Sequence, residues 1–257
     1  MKLAARLIEK PWGRTQLPPS FPPAPGLRIG EIWFAADGIP QLLAKYLFTS
    51  EKLSVQVHPD DEQARQRGVA RGKAECWYVL DAEPGATIGL GLSRPLDREG
   101  LRSAALDGSI VEAMDWRPVR AGDFFYVPPG TIHAIGGGIS LLEFQQNSDV
   151  TYRLYDYGRP RELHLDEGLA VSCLCAYPQS QSQHVDEAED KVLVDGPQFT
   201  LIHARSDRLQ DRRRWVLPLD GTVRSNGDTA SVGECLLLEL GDTLESNHAR
   251  MLIGAAA

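Results

Sequence analysis

The sequence is short of cysteine, of long apolar runs and of basic charge, and each shortage removes a class of protein. Four cysteines in 257 residues (Cys76, Cys173, Cys175 and Cys235) include no Cys-x-x-Cys pair and no dense framework, so reduced thiols in a cytoplasm are expected. No stretch is apolar enough to span a bilayer. Met1 to Trp12 alternates charge and lacks the apolar core of a secretory signal, so neither a membrane nor a secretory route is expected. A formal charge of −8 leaves no basic face for the phosphates of a nucleic acid. The one basic cluster, Arg212-Arg213-Arg214, runs straight into Trp215-Val216-Leu217 and reads as a solvated strand end. What remains is ordinary for a globular chain: 42% hydrophobic and 24% charged residues, enough for one sizeable core or one large and one small.

Residues 18–26, with five prolines and a glycine, cannot sustain a helix or a central strand and read as a surface loop. Short runs rich in β-branched and aromatic residues follow: Ile29 to Ala35, Leu42 to Phe48, Leu53 to Val57, Glu75 to Leu80, Thr87 to Leu92, Asp123 to Val127, Ser140 to Phe144 and Thr151 to Tyr155. Such runs, punctuated by glycine and proline, predict a mainly β sandwich or barrel. A helical insertion is expected around residues 95–118. It comprises Asp97 to Leu106 and then Ser109 to Met114, where Ser109 and Glu112 fit a capping box. A third helix is expected from Asp166, as its cap, through Leu174. The polar stretch 177–190 reads as a linker between a first domain over 1–176 and a smaller β domain over 191–257.

The strongest local signal is Gly122-Asp-Phe-Phe-Tyr-Val-Pro128-Pro-Gly130-Thr-Ile-His133, which has the spacing of the second cupin motif. A strand ends at Val127, a Pro-Gly turn reverses the chain, and the next strand aims His133 into the barrel. Upstream, Ser54-Val-Gln56-Val-His58 places Gln56 and His58 on one face of an extended strand, and Glu75 heads another. Gln56, His58, Glu75 and His133 form a mixed nitrogen and oxygen set that suits zinc in an open catalytic site. His164, His184, His203 and His248 lie outside this set and read as non-ligands; Trp77, Tyr152, Tyr155 and Tyr157 read as packing residues.

With these motifs in view the chain resembles the type I mannose-6-phosphate isomerases, in their short bacterial form. The resemblance runs through Lys10-Pro-Trp-Gly13, Gly30-Glu-Ile-Trp33, Ser-Val-Gln-Val-His-Pro59, Gly72-Lys-Ala-Glu-Cys-Trp-Tyr78, Pro-Pro-Gly-Thr-Ile-His133 and Glu143-Phe-Gln-Gln-Asn-Ser-Asp-Val-Thr-Tyr-Arg-Leu-Tyr-Asp156. It covers roughly the first two-thirds of the sequence, and the last third matches only as a degenerate cupin-like β domain. The large helical domain of the longer family members is not expected in this chain. The resemblance implies a cupin fold (a jelly-roll barrel), and one zinc ion held by Gln56, His58, Glu75 and His133. It further implies that Arg153 is the active-site arginine, with Lys73 and Asp149 beside it. Ser54 and Lys45 fall where phosphate contacts are expected, and Glu143 occupies a further acidic position in the substrate pocket.

The implied reaction interconverts mannose 6-phosphate and fructose 6-phosphate by moving a proton between C1 and C2 through a cis-enediol. Zinc would stabilise the enediolate charge, a placed acid or base would shuttle the proton, and Arg153 offers a fixed cationic fork to phosphate or enediolate oxygens. The expected partner is a small sugar phosphate, and the expected state a monomer or weak homodimer. Two other readings compete. An iron-dependent cupin oxygenase would favour more histidine among its ligands, and a non-catalytic sugar-binding protein has no need of Lys73, Asp149 and Arg153 beside a metal.

Overall fold

The computed structural model describes residues 1–36, 38 and 41–257. The chain is mainly β, as expected, with 41% strand and 11% helix. Its centre is a seven-stranded sheet that runs, in spatial order, Arg6–Arg14, Ile29–Phe34, Leu42–Phe48, Ile139–Gln146, Glu75–Ala82, Asp123–Val127 and Ser182–His184. A five-stranded sheet faces it, in the order Tyr152–Tyr155, Val55–Val57, His133–Ile135, Thr87–Leu92 and Met114–Pro118. A third sheet collects the C-terminal strands Lys191–Asp195, Phe199–Ala204, Met251–Ala256, Arg214–Pro218 and Leu236–Leu238.

Side-chain alternation explains why the central strands read as almost unbroken apolar runs: both of their faces are covered. Leu47, Trp77, Val79 and Leu141 turn one way and pack with Ile88, Leu90 and Ile135 of the five-stranded sheet. Their neighbours Tyr46, Cys76, Tyr78, Leu142 and Phe144 turn the other way, onto Phe199, Leu201, Trp215 and Leu252 of the C-terminal sheet. The helices Arg98–Asp107, Ile110–Ala113 and Leu165–Val171 cover the outside of the five-stranded sheet. There Leu101, Ala105, Ile110 and Leu169 meet Val55, Val57, Ala134 and Leu154.

Several local expectations change. An edge strand absent from the expected runs, Arg6–Arg14, pairs with Ile29–Phe34. Asp97 caps Arg98–Asp107 as its spacing suggests, accepting from the Gly100 amide at 2.7 Å. Ser109, however, makes no side-chain cap. Its backbone is helical rather than extended, its amide donates to Asp107 Oδ1 at 2.8 Å, and Met114 already begins a strand. Asp166 is no cap either, because the helix starts at Leu165; Asp166 lies in the first turn and pairs with Arg102. Within the polar stretch 177–190, Ser182–His184 pairs with Asp123–Val127.

The cysteines are not all reduced: Cys173 and Cys175 are joined by a disulfide, their Cα atoms 5.4 Å apart and so within bonding reach, while Cys76 and Cys235 are free and buried. Nor is Arg214 a solvated strand end. Its fully buried guanidinium contacts Asp207 from Nε at 2.9 Å and donates to the Glu239 carbonyl from Nη1 at 2.9 Å. Removing the acid would strand a buried charge, so Asp207→Ala should cost about 3–5 kcal/mol of stability in urea unfolding, whereas Arg213, exposed beside Glu239, should tolerate alanine.

Candidate metal centre

The inner faces of the first two sheets meet in a polar cluster. On the five-stranded sheet Gln56 and His133 are register partners, and Arg153 is the partner of Gln56 on the other side. His58 follows directly after the Val55–Val57 strand. The Pro128-Pro129-Gly130 turn works as the sequence suggests. Gly130 adopts φ +83°, where a side chain would be strained, and donates its amide to the His58 carbonyl at 2.8 Å. One backbone bond thus ties the turn that delivers His133 to the segment that delivers His58.

Each histidine has its tautomer fixed by a backbone carbonyl. His58 Nδ1 donates to Val150 O and His133 Nδ1 to Thr131 O, both at 2.8 Å, so each Nε2 keeps a lone pair facing inward. Glu75, first residue of its strand on the opposite sheet, bridges them, with Oε1 3.3 Å from His133 Nε2 and Oε2 3.5 Å from His58 Nε2. The Gln56 amide is 3.2 Å from His133 Nε2, and half a turn of that amide presents its oxygen at the same place. His58, Glu75 and His133 are each buried, and their ligand atoms lie within 4.8 Å of one another, the one such group among the described residues.

Three more charges complete the cluster. Lys73 Nζ contacts Glu75 Oε2, donates to His58 Nε2 at 3.1 Å, and donates to Glu143 Oε1 at 3.3 Å. Lys45 Nζ is 4.0 Å from Glu143 Oε1 and sits over the Trp33 ring at 4.8 Å. Glu143 is the register partner of both Lys45 and Trp77, so the three stand in a row across adjacent strands.

Burial lowers the basicity of both imidazoles, His133 to about 4 and His58 well below the usual histidine value, and the Lys73 charge adds to the effect at both. Both are therefore neutral donors near pH 7. Burial pushes the Glu75 carboxyl up, with Lys73 pulling against it. Burial also works to raise Glu143, but Lys45 and Lys73 outweigh it and hold that carboxyl down in its ionised form. Lys73 stays protonated: burial disfavours its charge, yet Glu143 and Glu75 more than offset it. Two neutral imidazole nitrogens, a carboxylate and an amide oxygen within one small volume fit a divalent cation, and the Lys73 ammonium shows that positive charge is favoured there.

The cluster floors a cleft of about 240 Å³, room for a small molecule but not a polymer chain. In a chain of net charge −8, five cations line it: Lys10, Lys45, Lys73, Arg153 and Arg161. All the sequence-predicted site residues lie in or beside this cleft. Ser54 is buried, its hydroxyl donating to Gln56 Oε1 at 3.3 Å, and Asp149 is exposed on the wall. Arg153 donates from Nη1 to Glu162 O at 2.8 Å, while its buried Nε has no partner among the described residues. Trp77, read from sequence as packing only, lines the cleft as well and meets the His133 ring edge-on at 5.4 Å. Sequence reasoning missed Lys10, Glu31 and Arg161. The first two sit inside quoted motifs, Lys10-Pro-Trp-Gly13 and Gly30-Glu-Ile-Trp33, and pair at 3.4 Å. Arg161, in the loop between Tyr152–Tyr155 and Leu165–Val171, is held by Asp156 at 2.6 Å and had no signal of its own.

Searched against known proteins, the chain superimposes on the crystal structure of mannose 6-phosphate isomerase from Bacillus subtilis with a TM-score of 0.80, over 98% of each chain and at 24% identity. The chain has the fold of the mannose-6-phosphate isomerases. A second structure of a mannose 6-phosphate isomerase, bound with zinc and yttrium, superimposes with a TM-score of 0.73 at 13% identity, over 99% of this chain and 98% of that one. By sequence, the mannose-6-phosphate isomerase ManA of Bacillus subtilis (strain 168) is 41% identical over 181 residues, or 64% of this chain. The match spans 57% of that relative's own length. No protein-family model matches the chain.

If the mannose-6-phosphate isomerase fold holds its cation on these residues, the protein should take up one divalent ion per chain and melt higher when loaded. His133→Ala should lose that uptake in metal analysis and abolish the metal-dependent rise in melting temperature.

Proposed function

We propose that the chain is a zinc-dependent aldose–ketose isomerase of the cytoplasm, interconverting mannose 6-phosphate and fructose 6-phosphate. The observation that carries this reading is the convergence of His58, Glu75 and His133 on the floor of a small, cation-lined cleft. The 41% identity to a mannose-6-phosphate isomerase over most of the chain supports the substrate. Gln56, His58, Glu75 and His133 would hold the ion, and the structural neighbour bound with zinc favours zinc over iron. When bound, the ion supplies electrostatic stabilisation of the oxygen charge that develops at C1 and C2.

The chain's own residues divide the remaining work by depth. Lys45 and Lys73 are almost wholly buried, whereas the side chains of Lys10 and Arg161 are 29% and 27% exposed. The phosphate therefore belongs at the open end and the carbonyl at the deep end. Arg153, with an uncommitted Nε, offers its fork to the sugar phosphate's oxygens, and Ser54 and Asp149 hold or help open the sugar between the two ends.

Glu143, kept ionised by Lys45 and Lys73, is the base that takes the C2 proton of the open-chain aldose; the C–H electrons form the C1–C2 double bond. Lys73 Nζ gives a proton to O1, and the product of that step is a cis-enediol. Return of the O2 proton to Lys73 and of the carboxyl proton from Glu143 to C1 yields the ketose, with both groups restored.

In a coupled assay the protein should convert mannose 6-phosphate, lose activity on chelation and regain it with zinc. Oxygen consumption with bound iron, or sugar binding without turnover, would sink the proposal. Glu143→Gln should lower kcat by about 10²–10⁴-fold while metal content stays at one per chain. Arg153→Ala should likewise keep the metal and lose turnover, measured as kcat/KM for mannose 6-phosphate.

A further inference from the structure

Lys73 is the one buried charge in the cleft that no strand holds. Glu75 is fixed on both sides, as register partner of Gln145 and of Val127, and Glu143 is likewise inside its ladder. Lys73 precedes the Glu75–Ala82 strand. Its backbone is secured instead by groups that do not reach the cleft. The Gly72 amide donates to Asp61 Oδ1 at 2.8 Å, the Lys73 amide to Pro59 O at 3.1 Å, and the Ala74 amide to Gln146 Oε1 at 2.9 Å.

The two side chains are themselves joined, Gln146 Nε2 donating to Asp61 Oδ1 at 3.0 Å. Each sits on a fixed support. Asp61 begins the helix Asp61–Arg65, which Asp60 and Gln63 close with a capping box. Gln146 is buried and ends the strand that carries Glu143. Gly72 passes so close to the Pro59–Asp60 backbone that a Cβ would come within 2.5 Å of Pro59 O, so the segment lies flat against this support.

We propose that Asp61 and Gln146 form a clamp that positions Lys73 for proton transfer. This rests on the reading of Lys73 as the group that moves the oxygen proton. Neither clamp residue touches substrate; both act by fixing the Lys73 backbone, and through it the separation of Lys73 Nζ from Glu143. Because strand pairing fixes Glu75 independently, the clamp serves the lysine and not the metal ligand.

Gln146→Leu removes the side-chain bonds of Gln146 to the Ala74 amide and to Asp61, while the Gly72 bond to Asp61 and the Gln146 amide bond to the Ala74 carbonyl remain. It should lower kcat about 10²-fold, the loss expected of a displacement near 1 Å at a reacting group, with KM for mannose 6-phosphate nearly unchanged and one metal ion still bound per chain. The conservative Asp61→Asn, whose Oδ1 can accept from both the Gly72 amide and Gln146 Nε2 as the aspartate Oδ1 does, should keep most of the wild-type kcat. A crystal structure of Gln146→Leu should show Lys73 Nζ moved away from Glu143, a readout that does not depend on turnover. An unchanged kcat in Gln146→Leu, an Asp61→Asn no better than Gln146→Leu, loss of the metal together with activity, or an undisplaced Lys73 would each overturn the clamp. If wild-type protein fails to turn over mannose 6-phosphate, the functional reading falls, and the crystallographic displacement still tests the clamp.

Discussion

A protonated lysine held between two buried glutamates in the middle of a β fold is the constraint around which the rest of this molecule is arranged. Lys73, Glu75, Glu143 and Lys45 are all at least nine-tenths buried. Taking each out of water costs several kcal/mol, and their mutual attraction, about 4 kcal/mol for a pair 4 Å apart at an effective dielectric constant near 20, recovers that only while every member is present and in place. Burial raises the Glu75 carboxyl, and a divalent ion on the neighbouring imidazoles would displace its proton; two lysines and two glutamates would then cancel and the ion would leave the cluster positive, which favours an anionic ligand in the cleft.

The layered architecture makes such a cluster possible. In a sheet covered on both faces, every second residue of a strand can be given to one layer while its neighbours serve another. On Ile139–Gln146, Leu142 and Phe144 belong to the core shared with the C-terminal sheet, and Glu143 between them belongs to the cleft. On Leu42–Phe48 the same alternation sets Lys45 apart from Ala44 and Tyr46. The C-terminal sheet contributes no residue to the cleft lining, yet it covers the back of the strands that do. The apolar burial on that side offsets the cost of charge burial on the other.

Much of this was legible in the residues. Leu42–Phe48, Thr87–Leu92 and Asp123–Val127 have the predicted bounds because glycine, proline and polar residues end them sharply. The Pro-Gly turn before His133, and the shared face of Gln56 and His58, follow from period two and local turn chemistry. Where simple composition rules failed, a specific neighbouring contact had displaced them: Gly108 turns the chain left-handed just before Ser109, Asp207 draws Arg214 inside, and Cys173 is disulfide-bonded to Cys175 two residues on.

The sequence by itself determined the strand periodicity, the turn that aims His133 inward and the shared face of Gln56 and His58, since these depend on residues within a few positions of one another. Only the tertiary structure decided that Glu143 is ionised at the centre of the cleft, that Lys73 stays charged, and that Lys10 and Arg161 join the lining. Those properties arise largely from contacts distant in sequence, such as Lys73 with Glu143, 70 positions apart, and from burial produced by whole layers. No local pattern encodes either of them.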